Sequence, residues 1–272
     1  MIGQDDEAPL LVVGYGTMAA AMVEGWLAAG MPPERITLYN PRPKPVPPKV
    51  RLITQLPARS TGDVLLAFKP QLLEQVGSQL AGMITSDNVV LSVLAGVTLA
   101  RLADVLPGAT AYVRFMPNLA AAIGKSPNAL TAAGLDDAQA ERVTRLAAML
   151  GTAEWLDRED LFDLVTALTG SGPAFTYRFA AALADGAAEC GLDRAQAERL
   201  SVAMMEGAIG LAQRSSVSVA ELAERVASKG GMTQAGLSVL DEGDRLRTLV
   251  TDTLIATRDR GAVLAGGTRT AS

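Results

Sequence analysis

The spacing of apolar residues changes at about residue 157. Before that point, short apolar runs alternate with longer amphipathic stretches, as where strands at Leu10–Val13 and Ile36–Tyr39 flank a helix over Thr17–Ala29. The same pattern predicts further strands at Val50–Ile53, Val64–Phe68, Val89–Leu94, Tyr112–Met116, Ala129–Ala132 and Ala153–Leu156. It predicts further helices at Gln71–Met83, Thr98–Leu106 and Asp136–Leu150. Strands that alternate with helices are typical of a doubly wound parallel sheet.

After Asp157 the β-branched runs disappear and helical periodicity dominates. Gly170–Pro173 ends one helix and begins another, and Ser218–Glu221 begins a further helix with a capping-box pattern. A glycine-rich turn at Ser228–Met232 precedes two more helices. We therefore predict two domains, an α/β domain over residues 1–157 and an all-α domain over residues 158–272.

The composition narrows the classes of function. With 49% hydrophobic and 19% charged residues, the chain is expected to fold around a substantial core, and its net charge of −5 does not favour a nucleic-acid partner. The sequence contains no histidine, which excludes Ser-His-Asp hydrolysis and histidine-based zinc sites, and we expect no metal site. Its single cysteine, Cys190, cannot form an intramolecular disulfide. We expect a cytoplasmic location, since no run is long enough to span a membrane and the N-terminus lacks the pattern of a secretory signal.

The first chemically informative segment is Gly14–Ala19, a G-x-G-x-x-A form of the dinucleotide-binding fingerprint. Its setting between a predicted strand and a predicted helix indicates a Rossmann-like domain. Gly14 permits the tight turn, and Gly16 lets a pyrophosphate approach the backbone. The N–H groups at the helix start, at Thr17 and Met18, are expected to face the phosphates.

The loop after the second strand carries basic residues where an NAD-binding domain has a carboxylate. Asn40, Arg42 and Lys44 stand there, and a cationic side chain at this position suits the 2′-phosphate of NADPH. NADH is then expected to be a weaker cofactor. The alternative is a solvated basic loop. The prolines of Pro41–Pro48 exclude a helix at this point.

Three further segments lie at the ends of predicted strands, where α/β sheets bind their ligands. They are Ala67–Pro70 (including Phe68 and Lys69), Ala95–Gly96 and Met116–Asn118. Position alone does not distinguish a Lys69 that contacts the cofactor from an ordinary surface lysine. We predict that Ala67, Phe68, Lys69, Pro70, Ala95, Gly96 and Asn118 contact the cofactor.

Taken together, these segments resemble the motifs of the pyrroline-5-carboxylate reductase family. Ala67–Gln71 is similar to that family's A-V-K-P-Q element, Ala95–Thr98 to its A-G-V-T, and Met116–Asn118 to its M-P-N. The most specific matches are Val165–Phe175, similar to V-T-A-L-S-G-S-G-P-A-Y, and Lys229–Thr233, similar to the S-P-G-G-T-T signature. The resemblance runs in family order from about Leu10 to Arg260.

This resemblance implies a Rossmann domain followed by a helical dimerisation domain, in a homodimer or a ring of five dimers. The implied reaction is NADPH-dependent reduction of 1-pyrroline-5-carboxylate to L-proline, the last step of proline biosynthesis. By resemblance, the Thr233 hydroxyl bonds the ring nitrogen, and the substrate carboxylate is held by Ser228, Gly230, Gly231 and Met232. Glu159 is expected to line the substrate site. Without the resemblance, the segment Ser228–Thr233 would be interpreted as an ordinary glycine-rich linker between helices.

The chain departs from the family pattern at several positions. Leu119–Ala120 replaces the usual Thr-Pro, Lys229 replaces the signature proline, and Met232 replaces a small residue or threonine. These changes leave two alternatives open, a reductase of another cyclic imine such as a six-membered ring, and a nucleotide-binding protein without activity.

Overall fold

The computed structural model describes residues 8–264, so the outer ends of both predicted domains lie outside the described part. Within these residues, eight strands form one sheet in the order β3-β2-β1-β4-β5-β6-β7-β8. The strands are β1 (Leu10–Val13), β2 (Ile36–Tyr39), β3 (Arg51–Ile53), β4 (Asp63–Leu66), β5 (Val89–Ser92), β6 (Ala111–Met116), β7 (Ser126–Ala133) and β8 (Gly151–Trp155). All eight predicted strands are present.

The prediction of a fully parallel sheet is wrong for the last two strands, which run opposite to β1–β6. β7 runs antiparallel to β6, while β8 is again parallel to β7. Residues 117–125 connect β6 to β7 and hold the 3-10 helix Leu119–Ile123. A parallel neighbour requires a crossover of a dozen or more residues, so this shorter connection lets the chain return only in the opposite direction.

The helices of the α/β part lie where the pattern predicts them. They are α1 (Thr17–Ala28), α2 (Leu73–Leu80), α3 (Leu99–Val105) and α4 (Asp137–Ala148). α2 is shorter than predicted because Pro70–Leu72 forms a 3-10 helix before it. α4 begins with a capping box in which the side chains of Asp136 and Gln139 each bind the other residue's backbone N–H. The proline-rich loop between β2 and β3 contains no helix, as predicted.

The sheet is buried on both faces. Along β1, Leu10 and Val12 pack into the same cluster as Trp26, whereas Leu11 and Val13 pack into a second cluster with Leu80. Strands covered on both faces are expected to be continuously apolar, which explains the short uninterrupted runs in the sequence.

The compact α/β unit continues beyond the predicted boundary at residue 157. The stretch after Arg158 forms the 3-10 helix Glu159–Leu161, the short α5 (Phe162–Val165) and a π-helical turn at Thr166–Gly170. Phe162 is buried in one cluster with Met116 and Ala129 of the sheet. The first unit therefore extends to Gly170 and also includes residues 257–264 of the described chain.

The second unit, Ser171–Ala256, is helical throughout, as predicted. Its helices are α6 (Gly172–Glu189), α7 (Arg194–Ala212), α8 (Val219–Val226), α9 (Met232–Asp241) and α10 (Arg245–Leu264), the last of which ends outside it. Within this unit, Ala184 and Ala197 are the buried residues, while many large apolar side chains stay exposed. Across residues 8–264, no helix has the length and apolarity that a bilayer span requires.

Candidate active site

The glycine-rich turn joins the ends of three strands. Gly14 has a φ of +95°, and its N–H donates to the carbonyl of Tyr39 at the end of β2, 2.8 Å away. On the other side, the Ala67 N–H donates to the carbonyl of Val13 at 2.9 Å. Gly16 is the N-cap of α1, so Thr17 and Met18 form its first turn. The predicted fingerprint residues thus meet at the carboxyl edge of the sheet.

The two glycines of this turn have different surroundings. A Cβ at Gly14 would lie 2.8 Å from the Ala67 carbonyl oxygen, on a backbone that side chains rarely adopt. A Cβ at Gly16 would meet no other atom within 4 Å. Gly14 is therefore required by the fold itself, whereas the space at Gly16 is open to a ligand. This arrangement fits a dinucleotide pyrophosphate.

We predict that Gly14→Ala mainly lowers the stability of the protein, whereas Gly16→Ala mainly lowers its affinity for the cofactor. Gly14→Ala should destabilise the free protein by about 1–3 kcal/mol because of its strained backbone and the clash with Ala67. Gly16→Ala should leave thermal stability much closer to wild type and weaken cofactor binding, because the added methyl group takes the space of the phosphates. Thermal melts without cofactor, together with NADPH titrations, measure both. Equal melting temperatures for the two variants would contradict this assignment.

The proline-rich loop lies against the glycine-rich turn. The Lys44 ammonium donates to the Tyr15 carbonyl at 2.8 Å, and the Asn40 side-chain amide donates to the Arg42 carbonyl. The side chains of Arg42 and Lys44 are exposed. Burial, with a smaller contribution from the Glu24 carboxylate, raises the pKa of Tyr15, so its hydroxyl stays neutral at physiological pH. The Lys44 ammonium therefore lies at the turn, and Arg42 stands two residues before it in the same loop.

The segments after β4 and β5 end at the same edge, because β1, β4 and β5 are parallel neighbours. Lys69 is exposed and immediately precedes the 3-10 helix Pro70–Leu72. Gly96 has a φ of +75°, and the Thr98 hydroxyl caps α3 by accepting from the Arg101 N–H at 3.2 Å. The predicted cofactor residues Ala67, Phe68, Lys69, Pro70, Ala95 and Gly96 are thus brought to one edge.

Asn118 is buried, and its side chain is engaged within the protein. Its Oδ1 accepts from the Ala120 N–H at 2.9 Å, and its Nδ2 donates to the Thr169 carbonyl at 2.9 Å. These bonds hold the loop after β6 against the π-helical turn. A contact of Asn118 with the cofactor stays a prediction.

Glu159 is held by partners that the sequence did not predict. Its Oε1 accepts from the Leu99 backbone N–H at 2.8 Å and lies 3.1 Å from Nη1 of Arg114. Arg114 also binds Asp163 at 2.9 Å. The sequence carried one signal for this network, a lone arginine within the otherwise apolar run of β6.

The turn before α9 is ordered by its own hydrogen bonds. Gly230 has a φ of +72°, and its N–H donates to Oε1 of Gln234 at 2.6 Å. The Gly231 N–H donates to the Ser228 carbonyl at 2.9 Å. The first-turn N–H groups of a helix have no partner within it, so those of Met232, Thr233 and Gln234 are able to bind an anion. Sequence reasoning did not identify the contribution of Gln234.

Comparisons with known proteins extend over both units. The family model for the pyrroline-5-carboxylate reductase dimerisation domain matches residues 159–264. A pyrroline-5-carboxylate reductase from Pseudomonas aeruginosa is 33% identical over 261 residues, which are 93% of this chain and 95% of that protein.

Solved structures of similar proteins share the fold. A pyrroline-5-carboxylate reductase from Coxiella burnetii is 29% identical with a TM-score of 0.86, covering 96% of this chain and 99% of that one. A pyrroline carboxylate reductase from Plasmodium falciparum, solved with NADP bound, is 23% identical with a TM-score of 0.81 and covers 96% and 99% of the two chains.

Proposed function

Because this chain belongs to the pyrroline-5-carboxylate reductase family, we propose that its glycine-rich sheet edge binds NADPH and its turn before α9 binds the imine substrate. The reaction is the NAD(P)H-dependent reduction of the C=N bond of 1-pyrroline-5-carboxylate, in proline biosynthesis. One observation carries this conclusion, which is that the 33% identity spans 93% of the chain and 95% of that reductase.

The residues present fit the cofactor. The open space at Gly16 and the first turn of α1 suit a pyrophosphate, and bound nicotinamide would supply the hydride. We propose Gly14, Gly16, Thr17 and Met18 for the pyrophosphate, and Ala67–Pro70 with Ala95–Gly96 for the rest of the dinucleotide. A contact of Asn118 with the cofactor is part of the same proposal.

The preference for NADPH over NADH is a proposal that rests on the loop after β2. Asn40, Arg42 and Lys44 stand where a carboxylate would bind a free ribose hydroxyl, and Lys44 already lies at the glycine-rich turn. The Plasmodium relative, solved with NADP, supports the same choice.

We predict that Arg42→Ala raises the KM for NADPH by about tenfold or more, because a hydrogen bond to a charged group contributes roughly 1.5–3 kcal/mol. The KM for NADH should change little, since NADH lacks the 2′-phosphate. Steady-state kinetics with both cofactors measure this, with Lys49→Ala as a control in the same loop. Equal changes for both cofactors would remove Arg42 from the phosphate site, and a wild-type preference for NADH would contradict the whole proposal.

On the substrate side, we propose that the N–H groups at the start of α9 and the Ser228 hydroxyl hold the carboxylate. The helix dipole favours an anion there without an arginine. Thr233 is exposed beside these groups, and its hydroxyl is proposed to bond the ring nitrogen. A cyclic imine can enter already protonated, so the chain needs no histidine to supply a proton.

Two alternative functions of the site are a nucleotide-binding protein without activity and a reductase of another cyclic imine. Retention of Thr233 and similarity over both units support catalysis over simple nucleotide binding. Lys229 and Met232 differ from the family pattern within the turn proposed to bind the substrate. The ring size of the substrate therefore needs a direct test. We expect a higher kcat/KM for 1-pyrroline-5-carboxylate than for its six-membered analogue, measured side by side with NADPH. A higher value for the larger ring would reassign the substrate.

The helical unit supports self-association. The match to a dimerisation domain agrees with the many apolar side chains that its helices leave exposed. We propose a homodimer as the smallest assembly, and a ring of five dimers as the larger form that the family resemblance implies. A cytoplasmic location is likewise a proposal, based on the sequence.

A further inference from the structure

A single arginine is buried in the middle of an apolar strand. Arg114 of β6 has a side chain that is 4% exposed, and its guanidinium carbon lies 4.1 Å from the centre of the Phe162 ring. Nη1 pairs with Glu159 at 3.1 Å and Nη2 with Asp163 at 2.9 Å. A buried charge is costly unless it is paired, so this arginine holds the segment Glu159–Asp163 on the sheet.

The carboxylate of Glu159 serves a second element at the same time. The oxygen that pairs with Arg114 also accepts the backbone N–H of Leu99, the first residue of α3, at 2.8 Å. That N–H lacks a partner within the helix, and a negative charge at a helix N-terminus is favourable. Leu99 directly follows the turn Ala95–Thr98, which bends through Gly96. Glu159 therefore ties the end of this turn to the arginine in the sheet.

We propose that Glu159 and Arg114 form a positioning pair that fixes the Ala95–Thr98 turn in the shape that receives the cofactor. The inference rests on the proposed function, in which Ala95 and Gly96 contact NADPH. Glu159 then acts through the Leu99 N–H and does not touch the imine, in contrast to the role that the family resemblance implied. Arg114 sets the direction of the carboxylate, and Asp163 keeps the arginine paired from the other side.

The arrangement allows the two bonds of Glu159 to be separated by substitution. Glu159→Gln keeps an oxygen that can accept from Leu99 but removes the charge that faces Arg114. Glu159→Asp keeps the charge that pairs with Arg114, but it is one methylene too short to reach the Leu99 N–H at the same time. Glu159→Ala removes both. Asp163→Asn is the matched control, because it weakens the other carboxylate partner of Arg114 and has no bond to Leu99.

The test combines amide hydrogen exchange with steady-state kinetics on the full chain in its native assembly. Exchange of the Leu99 amide in the cofactor-free protein should rise about tenfold in Glu159→Ala and Glu159→Asp, since the amide loses a hydrogen bond to a charged group. The KM for NADPH should rise by a similar factor, with kcat at saturating cofactor within about threefold of wild type. Glu159→Gln should restore most of the protection, and Asp163→Asn should leave both quantities near wild type.

Each result decides whether Glu159 positions the Ala95–Thr98 turn, binds the imine or only stabilises the fold. A raised KM for the imine with unchanged Leu99 exchange would place Glu159 at the substrate and overturn the inference. Equal effects of Glu159→Ala and Asp163→Asn would reduce the network to general stability and overturn it too. If Glu159→Ala does not fold, Glu159→Asp and Glu159→Gln carry the comparison. Failure of wild type to bind NADPH would refute the proposed function, while the exchange at Leu99 would still test the link to Glu159.

Discussion

Thr233→Ala should lower kcat by about 10²- to 10³-fold, the usual cost of removing one hydrogen bond that matters mainly in the transition state. In the proposed reaction, the ring nitrogen gains electron density as hydride reaches the neighbouring carbon, and the Thr233 hydroxyl is its partner. NADPH affinity should stay near wild type, because the proposed cofactor residues lie elsewhere. Steady-state kinetics and cofactor titration measure both quantities.

The competing explanation is that Thr233 only stabilises the start of α9. The structure gives little support for it, since the N-cap is Gly231, which has no side chain, and Thr233 is the second residue of the helix. A pure capping role would cost roughly 0.5–2 kcal/mol of stability and leave turnover nearly unchanged. Thr233→Ser keeps the hydroxyl and should keep most activity. A Thr233→Ala protein that melts lower but turns over normally would refute the catalytic role.

Met204→Asp should abolish the dimer. Leu200, Met204 and Leu211 form one stripe on α7, and they are 55%, 52% and 70% exposed in the single chain. The helical unit buries few residues of its own, so a partner is expected to cover such faces, and an unpaired carboxylate there costs several kcal/mol. We expect a melting temperature lowered by about 10 °C or more, and loss of the dimer in light scattering.

The matched control is Met204→Leu, which conserves volume and should cost less than about 1.5 kcal/mol. It should remain a dimer at the same concentration. Two observations would contradict this account of the helical unit. One is a wild-type protein that is a stable monomer at low micromolar concentration. The other is a Met204→Asp protein that associates and melts like wild type.

Much of the α/β unit could be predicted from local sequence. The runs of β1 and β2, the glycine turn between them and the prolines after β2 each follow from residue types that act on their own backbone. Gly14 adopts the positive φ that its place in the fingerprint implies. Strand direction is different, because it depends on the length of a connection. The antiparallel β7 was therefore missed, although residues 117–125 are too few for a crossover.

The site contains features that no local pattern shows. Arg114 stands 45 and 49 residues before its partners Glu159 and Asp163, so the sequence showed a charge in a strand and not what neutralised it. The segment after Arg158 has a helical pattern, and the match to the dimerisation domain begins at residue 159, next to the predicted boundary. Its Phe162 nevertheless packs against the sheet, so the compact unit of the structure ends at Gly170.

The most direct test of the central claim is NADPH oxidation by the purified chain in the presence of 1-pyrroline-5-carboxylate. The account predicts turnover that requires both molecules, yields proline in a one-to-one ratio with the NADP formed, and falls strongly in Thr233→Ala. Gly16→Ala should also lower the rate at limiting NADPH while its fold persists. A well-folded dimer that binds NADPH and leaves 1-pyrroline-5-carboxylate unreduced would contradict the account.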